Sequence, residues 1–327
     1  MTKHKQNKQA VAMIVGISGQ DGAYLAKLLL DKGYEVWGTA RDAQMATFNN
    51  LAKLGIKERV HSESMSLNDF RSVLQMVSKI APDELYNLAG QSSVGLSFDQ
   101  PVETLESIST GTLNLLEVIR FVGKPIRFYN AGSSECFGDT EDAPANESTP
   151  FHPQSPYAVA KAAAYWLVAN YREAYGLYAC SGMLFNHESP LRPERFVTRK
   201  IVSTACRIAH GSDEKLQLGA MNISRDWGWA PEYVEAMWRM LQLNVPEDFV
   251  IATGRTYCLE EFVAEAFMAV NLDWRDHVQN DPSLLRPSDI LVGRADPTKA
   301  KEMLDWQAEY QMHDVVCMMI QAELKEL

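Results

Sequence analysis

An α/β fold, a doubly wound parallel sheet followed by a smaller C-terminal substrate region, is what this sequence predicts, on three observations. Short apolar runs of strand length alternate with amphipathic helical stretches from residue 10 to about 185. The first run, Ala10 to Val15, leads through Gly16-Ile-Ser-Gly19-Gln-Asp-Gly22 into a helical pattern, so the chain opens as strand, glycine turn and helix. A later run, Ile126 to Ala131, ends on Ser133-Ser134-Glu135, which places polar chemistry at the C-terminal end of a buried strand, where such sheets bind ligands.

In chain order, Tyr24, Leu25, Leu28 and Leu29 share a helical face up to Gly33, a C-cap, and Tyr34 to Thr39 reads as the second strand. In a dinucleotide fold the first glycine of the turn permits a tight bend, the second admits the pyrophosphate and the third lets helix pack on strand; the helix N-terminus attracts phosphate. Here the spacing is G-x-x-G-x-x-G rather than G-x-G-x-x-G. The residue facing the adenosine ribose is expected just past the second strand. There Arg41 suits a 2′-phosphate and Asp42 a 2′-hydroxyl, and charge alone leaves both open.

A third strand is expected at Arg59–Ser62, a helix at Asn68–Ile80 and a fourth strand at Glu84–Ala89, followed by Gly90-Gln91-Ser92-Ser93 at its C-terminal end. A helix from Pro101 to Phe121 precedes the Ile126 strand, and the acidic, Pro-containing stretch Phe137 to Ser155 reads as a long loop. Ser155-Pro156 then opens a helix that runs to Tyr175 and is capped by Gly176, and Leu177–Leu184 is the sixth strand. Past Asn186 the strand candidates shorten to Lys215–Leu218 and Asp248–Ala252, among helices near 196–210, 231–243, 258–270, 297–304 and 312–325. The expected division is a tail at 1–9, a dinucleotide-binding domain at 10–185 that carries the chemistry, and a mainly substrate-binding region at 186–327, some of whose segments may return to the first domain.

The chain has 327 residues, 46% hydrophobic and 22% charged, and no apolar run reaches the roughly 18 residues of a membrane span. A net charge of −11 argues against nucleic acid as a partner. Residues 1–10 lack the pattern of a secretory signal, and five scattered cysteines without a C-x-x-C pair suit a reduced, cytoplasmic protein without a zinc site. An anionic ligand then needs a local basic cluster, and Arg192, Arg195, Arg199, Lys200, Arg225 and Arg286 supply one in the later segments.

Tyr157 and Lys161 are four apart in a helix and so share a face, an arrangement in which the ammonium is expected to lower the phenol below its ordinary value of about 10. With Glu135, these residues put a phenol, an ammonium and a carboxylate within one short span. As ordinary features, Glu135 is a strand-end acid bonded to backbone, Tyr157 and Lys161 are helix residues, and His187 is a satisfied hydrogen-bonding histidine.

The glycine turn with Tyr157-x-x-x-Lys161 resembles the extended short-chain dehydrogenase/reductase superfamily, whose sheet is Rossmann-type. Gly19-Gln-Asp-Gly22, Ser133-Ser134-Glu135, Leu184-Phe-Asn-His-Glu-Ser-Pro190, Phe196-Val-Thr-Arg-Lys200, Arg225-Asp-Trp-Gly228, Tyr233-Val-Glu-Ala-Met-Trp238 and Arg286-Pro287 narrow this to a resemblance to the GDP-mannose 4,6-dehydratase family, from about residue 10 to 306. The resemblance implies that Tyr157 takes the sugar O4 proton during C4 oxidation, that Glu135 moves the C5 proton to the departing C6 hydroxyl, that Ser133 bonds O4, and that Lys161 holds the ribose. It implies a cofactor, NADP with NAD possible, at Gly16, Gly19, Gln20, Asp21, Gly22, Arg41, Ser64, Met65, Leu88, Gly90, Gln91, Ser92, Tyr157, Lys161, His187 and Arg192. The GDP-sugar contacts it implies fall on Ser92, Asn186, Lys200, Arg225 and Arg286.

The chain departs from the family pattern at three places. Asp42 stands where a second arginine is usual, Ser64 and Met65 where an adenine-contacting Asp is usual, and Glu103 near a usual Tyr. Readings that remain open are a sugar-nucleotide 4-epimerase or reductase of the same fold, a dehydratase for another NDP-hexose, and a cofactor-binding module without turnover. Leu105, Leu113, Leu116, Tyr165, Trp166 and Val168 put apolar surface on more than one face of two long helices, and in the superfamily such helices pair, which implies a homodimer or homotetramer.

Overall fold

The computed structural model describes residues 9–141 and 143–327, so the tail expected at 1–9 lies almost wholly outside the described residues. A seven-stranded sheet forms the centre. Its strands are β1 (Val11–Val15), β2 (Glu35–Ala40), β3 (His61–Ser64), β4 (Glu84–Asn87), β5 (Arg127–Ala131), β6 (Ala179–Leu184) and an edge strand Phe249–Ile251. The order across the sheet is Phe249–Ile251, β6, β5, β4, β1, β2, β3, and every pairing is parallel. Parallel strands buried on both faces read as continuous apolar runs, which is why β1, with all five residues buried, was legible. The order reverses between β1 and β4, and their C-terminal ends open the crevice where doubly wound sheets bind ligands.

Helices cover both faces. On one, Leu25, Leu29, Met237 and Met240 share a core with Ile14 and Tyr86; on the other, Val73, Val77, Leu115, Ile119 and Val168 pack with Met13 and Phe128. The helix Pro156–Tyr175 starts where the Ser155 hydroxyl accepts from Ala158 N at 3.1 Å, with Pro156 in its first turn, and ends on Gly176 at φ 67°. The expected helix from Pro101 is continuous to Val122, but Glu106–Thr110 is wound as a π-type turn. There the Ser107 hydroxyl accepts from Gln91 N at 3.2 Å, which ties the helix to the loop after β4.

The stretch Asp248–Ala252, expected among the short strands of the later region, supplies the seventh strand of the main sheet. Asp248 directs it there: its carboxylate accepts from Ser181 N at 2.6 Å and pairs with Arg172 at 2.7 Å. The third strand lies two residues later than expected, because the short turn Lys57–Arg59 occupies its forecast start. The C-terminal segments have a second core, in which Ile201, Val202 and Ala205 meet Phe262, Val263, Val315 and Met319. Among the described residues, no helix is long and apolar enough to cross a membrane.

Candidate active site

A cleft of about 880 Å³ runs along the C-terminal edge of the sheet and under the second core. Its floor is the glycine turn after β1. Gly16 has φ +90°, and a Cβ there would meet Ala89 N at 2.9 Å; at Gly22 a Cβ would fall 2.4 Å from Gly16 O. Side chains are excluded at both points by backbone alone. Gly19 is roomier, its nearest neighbour 3.4 Å away, and it directly precedes the helix Gln20–Asp31, whose first-turn residues Gln20, Asp21 and Gly22 line the cleft. That open backbone at a helix N-terminus can accommodate a pyrophosphate.

One wall carries the expected chemistry. Ser133 caps the short helical turn Ser134–Phe137 by accepting from Glu135 N at 3.3 Å, and Glu135 and Tyr157 both line the cleft. Glu135 is reachable from the cleft yet ringed by protein, and that burial raises its pKa against the pull of Arg225 and Arg286, with Asp289 adding to the rise. Tyr157 departs from expectation. Burial pushes its phenol well above the ordinary 10, with hydrogen bonding from Ser133 opposing and the charge of Glu135 assisting. Lys161 does not offset that rise; its ammonium donates to Ala131 O at 2.8 Å and stands 5.8 Å from the ring centroid. Burial in turn pushes Lys161 down to about 8. Cys136, next to the acid, is buried and raised to about 12, which suits an inert thiol.

Above the glycine turn, His187 Nε2 lies 2.9 Å from the Asp21 carboxylate, and its Nδ1 lies 2.7 Å from Phe185 O. Burial opposes charge on both, but their mutual attraction prevails: Asp21 is held down at about 2 and His187 is raised above 6.5. The His187 ring also stacks on Tyr233, centroids 4.6 Å apart. Arg192 pairs with the buried Glu188 at 2.9 Å, and Thr198 donates to the same carboxylate at 2.6 Å.

The far wall holds the cations. Arg225 and Arg286 both pair with Asp289 Oδ1, at 3.1 and 3.2 Å, and Lys200 donates to Gln217 O at 2.7 Å; all line the cleft with Asn186, Arg192 and Arg195. Arg199 does not belong to this group. It is buried in an ion pair with Glu323 between two helices of the second core.

Of the residues expected at the cofactor, Gly16, Gly19, Gln20, Asp21, Gly22, Arg41, Met65, Leu88, Gly90, Gln91, Ser92, Tyr157, Lys161, His187 and Arg192 line the cleft. Ser64 does not: its hydroxyl accepts from Ala43 N at 2.9 Å, bracing the loop after β2. Asp42, which is exposed, likewise does not line the cleft and accepts from Gln44 N at 3.0 Å and Met45 N at 3.1 Å. Among the lining residues that the sequence reading did not assign to the site, three make polar contacts that shape it. Asp289 bridges two arginines, Glu188 anchors Arg192, and Asn50 donates to Ser18 O at 3.1 Å at the lip of the glycine turn. Only Glu188 sat inside a quoted motif; no local pattern marks the other two.

Comparison with known proteins decides the family. The GDP-mannose 4,6 dehydratase family model matches residues 13–319. The chain belongs to the GDP-mannose 4,6-dehydratase family. It is 46% identical over 325 residues to GDP-mannose 4,6 dehydratase 1 of Arabidopsis thaliana, covering 96% of this chain and 90% of that one. To the GDP-mannose 4,6-dehydratase of Vibrio cholerae it is 41% identical over 350 residues, covering 96% and 94%. Among solved structures, it superposes on a UDP-glucose 4-epimerase of Thermotoga maritima with TM-score 0.87 at 21% identity, covering 97% and 99% of the two chains. A dTDP-glucose 4,6-dehydratase of Streptomyces venezuelae gives 0.86 at 20% identity, covering 97% of each. Those two likenesses show the extended short-chain dehydrogenase/reductase fold; family membership supports the 4,6-dehydratase, a hydro-lyase, and does not favour the epimerase or reductase alternative.

Proposed function

We propose that the cleft dehydrates GDP-mannose to its 4-keto-6-deoxy sugar, with a nicotinamide dinucleotide lying over the glycine turn. The observation that carries the reading is that Ser133, Glu135, Tyr157 and Lys161 share one cleft with Lys200, Arg225 and Arg286 on its other wall. A pyrophosphate fits over Gly19 and the helix N-terminus, with Gly16 and Gly22 holding the turn tight; Gln20, Asp21, Leu88, Gly90, Gln91, Ser92, His187 and Arg192 would line the rest of the cofactor's path. A nicotinamide held there would supply reversible hydride chemistry between C4 and C6.

The chain's own residues handle the protons. Tyr157, beside Ser133, receives the O4 proton in its phenolate form, and Lys161, fixed on Ala131 O, would favour that form against the burial that raises the phenol. The C4 carbonyl acidifies C5–H; Glu135 removes that proton and delivers it to the C6 hydroxyl, which leaves as water; once C6 has its hydride, Tyr157 gives the proton it took from O4 to C5, so both groups end ionised as they began. One carboxyl serves as base and then acid, a task that suits a pKa raised towards working pH. Arg225, Arg286 and Lys200 would grip the diphosphate, with Asn186 and Ser92 beside the sugar. In this reading residues 10–185 hold the cofactor and the chemistry, and 186–327 mainly the nucleotide sugar, although Phe249–Ile251 sits in the sheet.

Homo-oligomerisation is part of the proposal. Val102, Leu105, Phe121, Val159 and Trp166 are exposed on the two long helices, whereas Leu116 and Val168, expected to help, are buried in the sheet's own core. Five free cysteines support a reducing, cytoplasmic setting. The test is incubation with GDP-mannose and either dinucleotide, following loss of one water by mass spectrometry and absorbance of the 4-keto sugar in alkali. Unchanged GDP-mannose under all conditions overturns the reading.

A further inference from the structure

The charge along the cleft is one-sided. Among its described lining residues from Val15 to Ala131, which form the end around the glycine turn and the tips of β2 and β3, Arg41 is the sole cation; Asp21 and Glu103 are the anions. Every other lysine or arginine on the cleft comes from Lys161 onward. Arg41 directly follows β2, at the place where a dinucleotide fold meets the adenosine ribose. Its guanidinium reaches Glu103 on the long helix at 3.8 Å, with the side chains 87% and 50% exposed. The next residue, Asp42, is an anion whose Oδ1 accepts from its own turn. The Ser64 hydroxyl is committed to Ala43 N.

We propose that Glu103 sets the cofactor preference of this chain, making the ribose pocket one for a 2′-hydroxyl, so that NAD binds at least as well as NADP. A 2′-phosphate brings a charge of about −1.5 to −2 and needs cations around it. At this site it meets one guanidinium already shared with a carboxylate, and the carboxylate repels it. A ribose 2′-hydroxyl can instead donate to the Glu103 carboxylate, the same hydroxyl–carboxylate bond that NAD-binding folds make from an acid after the second strand, supplied here from the long helix. The inference rests on the dinucleotide reading above and deepens it.

The test is direct titration of the whole protein with NADH and with NADPH, reading nicotinamide fluorescence, for the wild type and Glu103→Gln. The expected result is an NADH Kd no higher than that for NADPH in the wild type. In Glu103→Gln, NADPH should bind roughly five- to tenfold more tightly while NADH changes less than about threefold. Because Glu103 is exposed, the amide variant should fold, and NADH binding itself reports that it has. NADPH bound tenfold or more tightly than NADH by the wild type, or a NADPH/NADH ratio unmoved in the variant, overturns the proposal. Overturned in that way with GDP-mannose turnover intact, it leaves the dehydratase reading standing; the predicted ratios without turnover on either dinucleotide do the reverse.

Discussion

On the proposed reading, the hexose end and the ribose end of the cleft are built on opposite principles. At the hexose end, Arg225 and Lys161 are buried and held by partners: Arg225 shares Asp289 with the more exposed Arg286, and Lys161 is anchored on Ala131 O. At the ribose end, one exposed pair, Arg41 and Glu103, stands beside a loop braced by Asp42 and Ser64. Low-dielectric surroundings strengthen the first set of interactions, and water screens the second. A substitution at the hexose end should therefore alter catalysis strongly, and one at the ribose end should only tilt a preference.

The comparison breaks first, if it breaks, at Glu135. Glu135→Gln removes the proton carrier without changing shape, and kcat for water loss should fall roughly 10²–10⁴-fold while NADH titration is unchanged. Retained dehydration would move the chemistry elsewhere. Next in size, Arg225→Ala removes a buried guanidinium and leaves Asp289 with only Arg286; KM for GDP-mannose should rise about 10–100-fold, read from initial rates, with a smaller change in kcat.

The pH profile sharpens the contrast. Glu135 must be ionised to take the C5 proton, and its pKa is raised, so activity should fall on the acid side at a pH above the ordinary 4.5. Arg286 lowers that pKa; Arg286→Ala should therefore move the acid limb of kcat to higher pH, by about a unit or less given how exposed Arg286 is. On the alkaline side, Lys161 loses its charge near pH 8, so activity should decline through about that pH. The smallest effect belongs to the ribose end. Arg41→Ala should weaken NADH binding less than about fivefold, because an exposed pair contributes about 0–1 kcal/mol.

How far the site could be read ahead depended on the range of each signal. Ser133, Glu135, Tyr157 and Lys161 lie within 29 positions on a strand end and the following helix, and periodicity places them on the cleft. Asp289 is 64 residues from Arg225, and Glu103 is 62 from Arg41; no local spacing signals either pair. Arg199 sits beside Lys200 in the chain, yet one side chain enters the second core and the other the cleft, since neighbours on a helix point about 100° apart.

By itself the sequence determined the parallel α/β class, the glycine turn, the succession of the first six strands and the nearness of Ser133, Glu135, Tyr157 and Lys161 to one another, because strand and helix periods and turn chemistry are local properties of a chain. Only the folded chain decided that Phe249–Ile251 closes the sheet, that Arg199 serves the core, that Tyr157 is raised rather than lowered, and that Arg41 faces Glu103. Each of those follows from groups distant in sequence sharing a desolvated or crowded space, and the strength of a charge interaction depends on that space rather than on the residues' order.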